Sequence, residues 1–114
     1  MKYRQLASDF AVASQIEVTD VPKIAAAGYR CVICNRPDHE DAGQPTVADI
    51  REACTANGIE LQHVPIAGNA LNHEAVLEQM NVMANVPGPY LAYCRSGTRS
   101  TIIWNVIQRM KKHV

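Results

Sequence analysis

The sequence predicts an α/β domain: a central parallel sheet of four to five strands with helices on both faces. Three observations carry that reading. Strand-like apolar runs alternate with helix-like runs along most of the chain, and strand–helix–strand alternation implies parallel pairing. The run Tyr29 to Cys34 is almost continuously apolar, as expected of a strand covered on both faces. The 114 residues suffice for one core and are too few for two, so residues 1–114 read as a single domain.

Taken in order, Tyr3 to Leu6 and Phe10 to Ala13 are short strand candidates that suit an edge hairpin. Asp20 to Ala27 reads as a short helix, with Thr19 or Asp20 as cap, Pro22 in the first turn and Gly28 as stop. The Tyr29 to Cys34 strand leads into a polar loop, Asn35 to Pro45. Thr46 then caps a helix running to Asn57, with Asp49 in the capping-box place and Gly58 as terminator. Leu61 to Ile66 is the next strand. Asn72 caps a helix from His73 to Asn85 whose apolar stripe is Val76, Leu77, Met80 and Met83. Pro87-Gly88-Pro89 breaks the chain before the strand Pro89 to Tyr93. The final helix, Thr101 to Lys112, is expected to bury Ile102, Ile103, Val106, Ile107 and Met110, with Trp104 at its border.

Right-handed crossovers place the C-terminal ends of the parallel strands on one edge. The loops after Cys34, Ile66 and Tyr93 should therefore open on the same side. Arg36, Asp38 and Asn69 become candidate pocket walls around whatever the Tyr93 loop carries. Arg36 and Glu40 can equally form a local salt bridge that shapes their turn.

Lys+Arg and Asp+Glu each number 11, so the net charge is zero and no global pull toward nucleic acid or anionic membrane is expected. The concentrated basic spots are Arg95/Arg99 and the helix end Arg109, Lys111, Lys112, where cations suit the helix dipole. No long apolar stretch follows Lys2 and Arg4, and none approaches membrane-spanning length. The cysteines, Cys31, Cys34, Cys54 and Cys94, lack the spacing of a secreted disulfide framework. A reduced, cytoplasmic protein is the expectation. Cys31 and Cys34 lie on one strand at odd spacing and face opposite sides, so they read as buried thiols and not as a metal or redox pair. No cofactor is implied.

The loop Cys94-Arg95-Ser96-Gly97-Thr98-Arg99-Ser100 carries the chemistry. It sits between an apolar strand and a helix. A cysteine there lies under backbone N–H groups and the positive end of a helix dipole, with Arg99 adding a full charge. These features favour thiolate, the nucleophilic form. Arg95, Ser96, Gly97, Thr98 and Ser100 are the candidate anion-binding residues. Ser100 would donate to the thiolate or cap the last helix. Four residues separate Cys94 from Arg99, which looks like the single-domain rhodanese signature; the loop of cysteine phosphatases is one residue longer. A tighter arc suits a single added sulfur. No Asp occurs between Cys54 and Cys94 to act as the general acid a phosphatase normally uses, which leaves Asp38 as a reserve acid. Both counts favour sulfur transfer.

The stretches Gln15-Ile16, Gly28 to Glu40, Gln44-Pro45 and His63-Val64-Pro65-Ile66, together with Tyr93 to Ser100, resemble the phosphatase-like domain of the beta-lactamase hydrolase-like proteins. The resemblance covers residues 3–108. It implies a dual-specificity-phosphatase-like fold. Members are described both as phosphatases and as sulfurtransferases, and some are fused to or act beside a persulfide dioxygenase, which becomes an expected partner. The leading reading is a sulfurtransferase that takes sulfur from a small anionic donor, thiosulfate or glutathione persulfide, onto Cys94 and passes it to an acceptor thiol. The alternatives are a cysteine-dependent phosphatase with Arg99 binding phosphate and Asp38 as acid, and a non-catalytic module that senses an oxyanion or a redox signal.

Overall fold

The computed structural model describes residues 2–68 and 71–112. Strands β1 (Tyr3–Ala7) and β2 (Phe10–Ala13) form an antiparallel hairpin with Tyr3 opposite Ala13 and Arg4 opposite Val12. A short 3-10 turn (Val18–Asp20) leads into α1 (Val21–Ala26), and β3 (Cys31–Cys34), α2 (Val47–Ala56), β4 (Glu60–His63), α3 (His73–Asn85), β5 (Tyr90–Tyr93) and α4 (Thr98–Lys112) follow. The sheet order is β1-β2-β5-β3-β4, with β2, β5, β3 and β4 mutually parallel. The expected parallel sheet with an edge hairpin is therefore what forms. No helix among the described residues is long and apolar enough to cross a membrane.

Strand alternation sorts the core into two layers. Ala11, Val32, Cys34, Leu91 and Tyr93 pack with Ile24 of α1 and Ile50 and Cys54 of α2. Phe10, Cys31, Ile33, Tyr90 and Ala92 pack with Val76 and Val82 of α3 and Ile103 and Ile107 of α4. Cys31 and Cys34 thus lie in opposite layers, and both are free thiols. Caps fall where short polar side chains meet free amides. Thr46 Oγ1 accepts from Asp49 N at 3.1 Å and Asn72 Oδ1 accepts from Ala75 N at 2.8 Å.

Three differences from the expected elements bear on the site. Strand β4 ends at His63, although Val64 and Ile66 continue to donate to Cys34 O and Asn35 O, at 2.9 and 3.0 Å. Helix α4 begins at Thr98, one turn earlier than expected, so Arg99 and Ser100 belong to its first turn. The buried faces are also rotated. α3 buries Ala75, Val76, Gln79 and Val82 and exposes Leu77, while α4 buries Ser100, Ile103 and Ile107 and exposes Ile102. In each helix a polar residue replaces an apolar one on the buried face, because that face ends against a polar site.

Candidate active site

The loop after β5 is anchored by extensions of the parallel ladder. Cys94 N donates to Ala13 O at 3.4 Å, Gln15 N to Arg95 O at 3.3 Å, and Asn35 N to Tyr93 O at 2.8 Å. The ends of β2, β3 and β5 are thereby joined directly beneath the loop. The turn over the sulfur needs Gly97, whose φ of +90° is strained for any residue with a Cβ. In that conformation Gly97 N–H donates to Cys94 Sγ at 3.0 Å.

Burial of Cys94 pushes its thiol pKa up, but the backbone N–H and hydroxyl of Ser100 and the N–H groups of Ser96 and Gly97 outweigh it. The thiol is held below its usual value, so thiolate is favoured. Burial does the opposite to the other three. Cys31 is pushed up to about 12, Cys54 to about 11, and Cys34 is raised as well. One cysteine of four is activated, and it is the one the sequence singles out.

Arg99 reaches across to the β3 loop. Its Nη1 and Nη2 donate to Glu40 Oε2 and Oε1, each at 2.8 Å, and Nη1 also donates to Ile66 O at 2.7 Å. Three of the five guanidinium N–H groups are thus committed to holding the side chain, and Nε–H with one Nη2–H remain as a second edge of the fork. Glu40 first, and then Cys94, hold the Arg99 guanidinium in its charged form. Hydrogen bonds from Arg99 first, and then from Arg36, hold the Glu40 carboxyl down at about 2.

Behind Glu40 stands Arg36, which is buried. Its Nε donates to Glu40 Oε1 at 2.8 Å, Nη1 to Gln15 Oε1 at 2.9 Å, and Nη2 to Asp41 Oδ2 at 2.7 Å. The local salt bridge was one of the two readings open for Arg36, and it is the one that forms. Arg36 is a scaffold cation that holds Glu40 for Arg99, and it does not line the cleft. Asp41 also takes Arg95 Nε at 3.1 Å, leaving the Arg95 side chain at the exposed rim. Asp38 is engaged elsewhere: its Oδ1 accepts from Val47 N at 2.8 Å, on the first turn of α2. That contact draws the reserve acid toward α2. Asn69 lies outside the described residues.

The cleft above the loop has a volume of about 510 Å³ and is lined by Glu40, Gly68, Arg95, Ser96, Thr98 and Arg99. Cys94 lies beneath it under the 95–97 turn, fully buried. Ser100 is buried too, and its Oγ donates to Asn35 Oδ1 at 2.8 Å. Asn35 Nδ2 in turn donates to Val64 O at 3.0 Å and to Gln79 Oε1 at 2.9 Å, which fixes the amide with its oxygen toward Ser100. Asn35, Gln79 and Gln15 were not anticipated as site residues. The only sequence signal for Asn35 is a polar residue immediately after a buried strand at the functional edge.

An activated cysteine at a strand end, under the amides of a turn that opens a helix and beside a clamped arginine, on a mostly parallel five-stranded sheet, defines a domain of the cysteine-phosphatase type. Residues 2–111 match the family described as Beta-lactamase hydrolase-like protein, phosphatase-like domain, and the chain belongs to that family. The Beta-lactamase hydrolase-like protein of Agrobacterium fabrum is 29% identical over 104 residues, which are 91% of this chain and 24% of that protein. The chain therefore spans about a quarter of the length of that curated relative. Among solved structures, a candidate phosphatase from Neisseria meningitidis matches at 31% identity and a TM-score of 0.81, over 88% of this chain and 71% of its own. The core catalytic domain of the PP-IP phosphatase SIW14 from S. cerevisiae shares the fold, with a TM-score of 0.74 at 13% identity over 96% of this chain and 66% of its own. The expected dual-specificity-phosphatase-like fold is what these neighbours have. Neither the family nor the neighbours support the sulfurtransferase reading, and the phosphatase alternative fits them better.

Proposed function

We propose that this domain is a cysteine-dependent phosphatase acting on phosphoryl groups with good leaving groups. The observation that carries the reading is the pairing of a depressed Cys94 thiol with an Arg99 fork held open by Glu40. The Cys94 thiolate would attack phosphorus, forming the S–P bond as the P–O bond to the leaving group breaks. Loop amides and the free edge of Arg99 would carry the charge on the phosphoryl oxygens. Water would then attack phosphorus, breaking the S–P bond and returning thiolate and inorganic phosphate.

The missing acid takes a different meaning in this reading. The carboxylate lining the cleft, Glu40, stays ionised down to about 2 and is tied to two arginines, so it cannot protonate a leaving oxygen. Asp38 is tied to α2. A leaving group that departs as a stable anion, such as an aryl oxide or a phosphate from a phosphoanhydride, needs no such help. The SIW14 neighbour is a PP-IP phosphatase, which supports this class without specifying it here. Turnover of an aryl phosphate against an alkyl phosphate tests the reading. The aryl ester should be hydrolysed in a Cys94-dependent way and the alkyl ester poorly; an absence of aryl phosphate turnover would contradict it.

A further inference from the structure

The hairpin β1–β2 is the one antiparallel pairing in the sheet, and it has a consequence for charge. With Tyr3 opposite Ala13 and Arg4 opposite Val12, the start of β1 lies at the edge where the parallel strands end. Lys2 and Arg4, far from Cys94 in sequence, are thereby brought beside the loop. They line a second groove of about 510 Å³ with Tyr3, Ser14, Thr101 and Ile102. This groove shares Ser96 and Thr98 with the cleft above Cys94, so the two flank the same turn of the loop. Arg4 Nη2 donates to Thr101 Oγ1 at 3.4 Å, and Thr101 Oγ1 donates to Gly97 O at 2.8 Å, which ties the groove to the loop itself. Among the described residues no carboxylate lies within salt-bridge distance of Lys2 or Arg4, in contrast to Arg36, Arg95 and Arg99, which all have one. Ile102 is an exposed apolar wall of the groove, 47% accessible.

We propose that this groove is a second anion subsite, in which Lys2 and Arg4 bind a further phosphate of a polyphosphorylated substrate whose scissile phosphoryl group lies over Cys94. The inference rests on the phosphatase reading and adds to it a substrate class: a molecule carrying at least two phosphates, one on each side of the Ser96–Thr98 turn. Two uncompensated cations are what a second phosphate needs, since each can donate charge-assisted hydrogen bonds without first breaking an ion pair. The hydroxyl of Ser14 adds a neutral donor.

Titration calorimetry of inorganic tripolyphosphate and inorganic phosphate into the Cys94→Ser chain tests this without requiring turnover. Tripolyphosphate should bind at least about tenfold tighter than phosphate. Lys2→Ala/Arg4→Ala should remove most of that gain while phosphate affinity changes little, and Lys2→Gln/Arg4→Gln should repeat the result if the alanine variant folds poorly. Lys111→Ala/Lys112→Ala removes the same charge at the far end of α4 and should leave the gain intact. Equal affinities for the two anions, no measurable tripolyphosphate binding, or a gain that survives loss of Lys2 and Arg4 would overturn the proposal. Failure of the phosphatase reading shows separately, as missing aryl phosphate turnover by the unsubstituted chain.

Discussion

The Ser100 hydroxyl donates to Asn35 Oδ1 at 2.8 Å, and it is also one of the groups that lower the Cys94 thiol. It has one hydrogen to give. Asn35 cannot rotate its amide to relieve the competition, because Nδ2 is committed to Val64 O and Gln79 Oε1. The thiolate is therefore stabilised chiefly by the backbone amides, with the hydroxyl shared.

Ser100→Ala should raise the Cys94 pKa toward the ordinary thiol value, because the hydroxyl is among the groups that lower it. The pH dependence of alkylation by iodoacetamide reads this directly, with the midpoint moving upward. Asn35→Ala should move it in the opposite direction by releasing the hydroxyl to sulfur. It should also cost about 1–3 kcal/mol of stability for the buried partners it leaves.

Among the four cysteines, labelling at mildly acidic pH should mark Cys94 first. Cys31 and Cys54, pushed up to about 12 and about 11, stay protonated throughout the neutral range. Peptide mapping after brief alkylation checks this, and equal labelling of all four would count against the amide cradle.

Glu40→Gln should leave the guanidinium of Arg99 without its charged clamp and lower kcat/KM for an aryl phosphate by about ten- to a hundredfold, corresponding to the 1.5–3 kcal/mol typical of hydrogen bonds to charged groups. The Glu40 carboxyl is depressed to about 2 in the folded chain, so its contribution to stability is complete above the ordinary carboxylate range and is lost as pH falls toward about 2. The difference in Tm between the parent chain and Glu40→Gln should accordingly be flat from pH 6 to 9 and shrink below about pH 4. Arg99→Lys should recover only part of the function of Arg99, because an ammonium cannot hold Glu40 with one edge and a phosphoryl group with the other.

Gly97→Ala should be costly for the backbone alone. The added Cβ would meet Ala13 at 3.5 Å, an ordinary contact, yet φ is +90° at this position. The strain is about 1–3 kcal/mol, and relieving it would turn the 97 N–H away from sulfur. Reduced Tm together with an upward shift of the Cys94 alkylation midpoint is the expected pair of results.

Most of the fold was legible because it follows from periodicity. The continuous apolar runs of β3 and β5, the capped starts of α2 and α3, and the strand–helix rhythm dictate a parallel sheet and place Cys94, Arg95, Ser96, Gly97, Thr98, Arg99 and Ser100 on one edge. What was not legible depends on long-range pairing. Gln79 carries no signal in the sequence, and its role emerges only when the buried face of α3 ends against Asn35. Glu40 reads as a partner of Arg36 until α4 is seen to begin at Thr98 and aim Arg99 at it. Lys2 and Arg4 read as scattered terminal charges until the antiparallel register of β1 carries them to the loop. The loop spacing misled in a further respect: a short Cys-to-Arg gap implied a small arc, whereas the cleft above it is bounded by the β3 loop and Gly68 as well as by the loop itself.

The most direct measurement is the intact mass of the chain after rapid acid quench from a phosphorylated aryl substrate, set beside the mass after exposure to thiosulfate. The account predicts one added phosphoryl group on Cys94 with the phosphate donor, absent in Cys94→Ser, and no stable sulfur adduct. A cyanide-removable sulfur on Cys94 with no phosphoryl adduct under any condition would contradict it and restore the sulfurtransferase reading.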